Sequence, residues 1–199
     1  MYNSFKITAI IATACAMSFV GAGVAHAIDV QVNASVNMKA VISATAGQDM
    51  NFGNVNFEPN HSGEIRLATN GSVQLGGGAS GLTLDGGSPT AGDVTISGDG
   101  QSNIEISCES NGVLGSNGSG TLNLQDVQFS VDSGRSYGAA TNCSGLSSPA
   151  AVLDLASNNA PKLFFGGALN VSGNAISASD QYSTANAGGD PVTVRVVYQ

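Results

Sequence analysis

The chain closes on "DPVTVRVVYQ", Asp190 to Gln199. Val192, Val194, Val196 and Tyr198 alternate with Thr193, Arg195, Val197 and Gln199. A period of two puts the first set on one face of a β-strand and the second on the other. The first set is wholly apolar or aromatic, so that face is expected to lie on a core. The same alternation recurs upstream in "MNFGNVNF", "GEIRLA", "GLTLDG", "DVTISG", "SNIEIS", "LNLQDVQFSV", "AVLDL" and "KLFFGGALNVS". Clusters of Gly, Asn, Ser and Asp separate these runs. Many short strands at this spacing define an all-β sandwich or barrel, and the period of two makes it antiparallel with one buried face. No long window carries apolar residues at helical three-and-four spacing. The expected core is Phe52, Val55, Leu84, Ile96, Ile104, Ile106, Phe129, Leu163, Leu169, Val194 and Val196. "LGGGASG", "NGVLGSNGSG" and "ANAGGD" read as turns, where positive φ costs glycine little. "DGGSPTAGD" lacks EF-hand spacing and reads as a turn too.

The opposite end has a different character. Lys6, the apolar run Ile7 to Val20 and the small-residue site Ala25-His26-Ala27 form a secretory signal pattern over residues 1–27. The run is too short to span a bilayer, and no other segment is apolar enough to do so. Export through the inner membrane, to the periplasm and then the cell surface or medium, is therefore expected. Cleavage leaves 172 residues, enough for one domain, with five basic and 14 acidic groups and a net charge of −9. So acidic a chain argues against nucleic acid or anionic lipid as partners. Cys15 leaves with the signal. Cys108 and Cys143 remain, an even pair in an exported protein, and are expected to form a disulfide. Closing a loop of about 36 residues stabilises by roughly 4 kcal/mol in the chain-entropy account.

The mature start, "IDVQVNASVNMKAVI", places Ile28, Val30, Val32, Ala34, Val36, Met38, Ala40 and Ile42 on one face. At about 3.3 Å per residue this is roughly 50 Å of strand, against a usual length of about five or six residues. Two readings stand. Residues 28–36 are a detachable arm ahead of a domain spanning 37–199, or they are the frayed end of one long first strand.

Catalytic patterns are missing. There is no G-x-S-x-G, no phosphate-cradling glycine loop and no paired carboxylate that the sequence marks. His61, in the polar "EPNHSGE", is the one mature histidine and reads as a solvated loop residue. No C-x-x-C exists for metal or redox work. The expectation is a non-enzyme without cofactor or metal. With no tryptophan, a sugar-stacking platform is unpromising.

Three stretches carry a family likeness: "MNFGNV" (Met50 to Val55), "FFGGALNVS" (Phe164 to Ser172) and the closing "QYSTANAGGDPVTVRVVYQ". In this order the chain resembles a family of exported bacterial proteins of unknown function with a fimbrial-subunit look. It is more distantly similar to spore-coat protein U and to the pilins of archaic chaperone–usher systems. It departs from them in two ways. Tyr182 is separated from Val192 by a longer insertion, and the Cys108–Cys143 pair is not near the first two strands. The resemblance implies an immunoglobulin-like antiparallel β-sandwich of pilin type that lacks one strand. Ile28, Val30, Val32, Ala34 and Val36 would then be donor-strand side chains. Val192, Val194, Val196 and Tyr198 would line the acceptor edge, with Tyr198 as the penultimate aromatic of such subunits. Implied partners are other copies or related subunits, a periplasmic chaperone and an outer-membrane usher. The expected function is a non-catalytic subunit of a surface fibre, shaft rather than tip. The alternative is a complete, monomeric sandwich, secreted or surface-attached, that binds a glycan or protein through its loops.

Overall fold

The computed structural model describes residues 41–58, 61–118, 120–157, 160–172 and 180–199. The expected signal peptide and the arm residues Ile28, Val30, Val32, Ala34 and Val36 lie outside them. Among the described residues the fold is all-β, with no helix and hence none long and apolar enough to cross a membrane. In chain order the strands are β1 (Ser43–Ala46), β2 (Val55–Phe57), β3 (Ser62–Leu67), β4 (Val73–Gly76), β5 (Leu82–Leu84), β6 (Gly92–Ser97) and β7 (Asn103–Cys108). There follow β8 (Gly112–Ser116), β9 (Thr121–Val131), β10 (Thr141–Asn142), β11 (Ala151–Asp154), β12 (Lys162–Ser172), β13 (Tyr182–Ser183) and β14 (Val194–Tyr198). Their pairings are antiparallel.

One sheet runs β1-β6-β12-β9-β8-β13, with β3 and β4 beside the later half of β12 and β10 beside β9. A second runs β11-β7-β14, and β2–β5 form a separate ribbon. Only Glu109, Ser110 and Asn111 separate β7 from β8, and the two act as one bent strand shared by both sheets. Along one side of it the chain from Tyr182 to Tyr198 is bonded at Ser116, Gly115, Val113, Glu109 and throughout β7. Along the other side lie β9, Gly145 and β11. The outcome is a curled half-barrel, in which β1, β13 and β14 each have a strand neighbour on one side only among the described residues.

Alternation fills the interior. Ile96, Ile104, Ile106, Phe129 and Leu163 are fully buried, joined by Leu67, Leu124, Val127 and Leu155. The two eleven-residue strands β9 and β12 form the centre. Their register shifts between Gly166 and Ala168, opposite Asp126, which adopts φ 50°. This bulge brings Gly166 so close to β3 that a Cβ there would fall on the Leu67 carbonyl. The glycine pair in "FFGGALNVS" is thus a packing requirement. In "MNFGNV" it is backbone angle that selects glycine. Gly53 has φ 77° and its N–H donates to Asn51 Oδ1 at 2.8 Å, while Phe52 enters the core.

The expected core is largely the observed one. Val55, Val194 and Val196 are half-buried against it. Leu84 is a correction: it is 42% exposed. It sits opposite Val55 at the outer end of the small ribbon, whose inner end, Phe57 opposite Leu82, reaches the core. A second correction concerns "NGVLGSNGSG". Its first part is β8, flanked by β9 and β13, and not a turn.

Candidate functional site

The alternation read in "VTVRVVY" is present. Val192, Val194, Val196 and Tyr198 are half-buried and pack on the core, while Thr193, Arg195, Val197 and Gln199 are exposed. β14 pairs β7 with Val194 opposite Cys108, Val196 opposite Ile106 and Tyr198 opposite Ile104. The two isoleucines of the inner strand are fully covered; their neighbours on β14 are not. Burial therefore fades at this lip of the half-barrel.

The backbone direction follows from two bonds. Glu109 N–H donates to the Thr193 carbonyl at 3.1 Å, and Gln199 N–H donates to the Asn103 carbonyl at 3.0 Å. In an antiparallel ladder such bonds fall on every second residue. The odd-numbered residues of β14 thus face β7. The N–H and C=O groups of Val194, Val196 and Tyr198 point the other way, where no described strand pairs with β14. Half-buried apolar side chains and outward backbone groups come together along one edge.

Three fixtures hold that edge. Tyr198 Oη accepts the Asp99 N–H at 2.7 Å. Asp99 lies just beyond β6, the neighbour of β1, so the hydroxyl ties the last strand to the first sheet's end. At the other end the Glu109 carboxylate accepts the Thr193 N–H at 2.7 Å, and that bond holds its pKa below the usual carboxylate range. On the exposed face Arg195 donates to the Leu146 carbonyl at 3.2 Å. Sequence reasoning found Tyr198 but not its partner, and missed Glu109 altogether. Nothing in "CES" marks a strand anchor.

Cys108 and Cys143 form the expected disulfide, with Cα atoms 5.1 Å apart and both residues buried. It joins the end of β7 to the chain leaving β10, and so fastens the second sheet to the first. His61, expected in a solvated loop, has a side chain 41% exposed with Nδ1 3.5 Å from a Glu58 carboxylate oxygen. Among the described residues there is no group of three or more His, Cys, Asp or Glu that could hold a metal.

These features define a class: an all-β, disulfide-tied half-barrel whose last strand has, among the described residues, a strand neighbour on one side only. Residues 42–198 match the model of a domain of unknown function, DUF4402, and the chain belongs to that family. No curated protein and no solved structure matches it.

Proposed function

We propose that the protein is an exported, non-catalytic structural subunit of a surface fibre, with an immunoglobulin-like fold of pilin type that takes its missing strand from another chain. The observation that carries this reading is the β14 lip, where outward backbone groups and half-buried Val194, Val196 and Tyr198 occur together. An exposed apolar edge is an aggregation hazard unless something covers it. Strand addition covers it twice over: backbone bonds supply affinity, and alternate side chains fill the half-open core.

In this reading the donor is the segment Ile28 to Val36 of a second copy, with Ile28, Val30, Val32, Ala34 and Val36 facing inward. Each apolar side chain so buried contributes roughly 1.5–3 kcal/mol before ordering costs. A periplasmic chaperone would cover the same lip before assembly, and an outer-membrane usher would conduct the exchange. The test has two arms. Deletion of 28–36, or Val32→Asp, is expected to abolish heat-resistant multimers of the exported protein while the monomer keeps its far-ultraviolet β signature. Unchanged multimers in both variants would overturn the reading and leave the monomeric sandwich in its place.

A further inference from the structure

A different part of the molecule, the outer face of the β8–β9 pair, carries an arrangement that fibre assembly does not use. Val113 lies opposite Asn123 in the ladder, and on its other side it bridges to Asp190. Continuing the same register one step places Asn111 opposite Gln125. Residues opposite each other share a face, and residues two apart on one strand do as well. Asn111, Val113, Asn123, Gln125 and Asp190 therefore form two adjacent rows on one face. They surround an open recess of about 310 Å³, floored by Gly112 and Leu124.

The backbone that carries these groups is fixed by the ladder, and most of their side-chain hydrogen-bonding capacity is unused among the described residues. The Asp190 backbone is locked by a reciprocal pair of bonds with Val113, at 2.9 and 2.8 Å. The Asn111 amide donates only to Ser110 Oγ, at 3.1 Å. Asn123, Gln125 and Asp190 make no side-chain hydrogen bond among the described residues. The Asp126 bulge adjoins the recess, and bulges commonly re-aim side chains beside sites.

We propose that this recess binds a neutral saccharide. Three carboxamides and one carboxylate give acceptors and donors spaced along two rows, which suits vicinal hydroxyls that each donate and accept. No cation lines the recess, and Asp190 repels an anionic ligand. Val113 offers a small apolar contact for sugar C–H groups, while the Leu124 side chain turns to the core and leaves only its backbone to the recess. The lack of an aromatic stacking face makes the binding weak, in the millimolar range. This proposal stands apart from the fibre reading and survives its failure.

The test is titration of the exported protein with glucose, galactose, mannose and N-acetylglucosamine, followed by amide NMR, with N-acetylneuraminic acid as the charged comparison. The expected result is saturable shifts at Asn111–Val113, the Asn123 and Gln125 side-chain amides and Asp190 with at least one neutral sugar. Asn123→Ala and Asp190→Ala, both at exposed positions, are each expected to weaken that binding about tenfold without disturbing other resonances. No shift with any neutral sugar, shifts elsewhere, unchanged affinity in both variants, or preference for the acidic sugar would each overturn the proposal.

Discussion

Tyr198 explains why an aromatic stands so near the end of the chain. Its ring packs on the core and its hydroxyl reaches across to the Asp99 N–H. Tyr198→Phe keeps the ring and removes the bond, leaving that N–H without its partner. It should cost about 1 kcal/mol in denaturant unfolding, and the Asp99 amide should exchange with solvent faster. An unchanged Asp99 exchange rate would sink this role. The alternation that placed Tyr198 on the inner face was plain in the sequence. Its partner was not, because Asp99 lies 99 residues away and nothing local marks it. The buried polar set was equally hidden. Thr69 Oγ1 accepts from Ser130 Oγ and from the Arg135 N–H at 2.9 and 2.7 Å and donates to the Arg135 carbonyl, while Gln128 Oε1 accepts the Gly138 N–H. These side chains pin the 133–140 loop over the sheet, and only tertiary contact reveals them. Leu84 shows the converse error. Alternation told which way it points, but not that its ribbon runs out of core at that end.

Among the elements, "KLFFGGALNVS" became β12 from end to end and "LNLQDVQFSV" became most of β9. Both begin on a clear period of two, which holds up to the bulge at Asp126 and Gly166. β8 escaped notice because its glycines and flanking asparagines carry the signature of a turn. The structure gives a physical reason for one of them: a Cβ at Gly115 would fall on the Ala187 carbonyl of the adjoining segment. Close backbone approach, not turn formation, selects glycine there. β14 has an acid-labile anchor. Glu109 has its folded pKa depressed by the Thr193 N–H. A depressed carboxylate contributes stability that is present above its unfolded pKa and is lost as pH falls through the folded one. Acidification through and below the ordinary carboxylate range, about pH 4, should therefore lower the exchange protection of Thr193 and the start of β14 in the native chain, once rates are divided by the intrinsic exchange rate at each pH. In Glu109→Gln that pH dependence should flatten. If the variant and the native chain respond alike to acid, the anchor role fails.

For the whole molecule, the composition and strand grammar were enough for an antiparallel all-β domain with one disulfide. They could not give the curl. That depends on β7 and β8 being one bent strand shared by two sheets, a long-range pairing pattern that no local run encodes. The disulfide has a further consequence, a mechanical one. Val41 leads into β1 and Tyr198 ends β14, so a load carried between these two points pulls on two strands that, among the described residues, are each paired on one side only. Such a force peels strands from the rims inward, yet it cannot extend the chain between Cys108 and Cys143, which are 35 residues apart and bridged. At about 3.3–3.6 Å per residue, roughly 120 Å of chain stays locked as a hidden reserve. Stretching single molecules should give a contour length shorter by about that amount in the oxidised protein than after reduction. Equal lengths in the two states would refute it. A domain cross-linked in this place behaves under tension as a strap with a stop: its ends yield, while the looped segment stays out of reach of the pull.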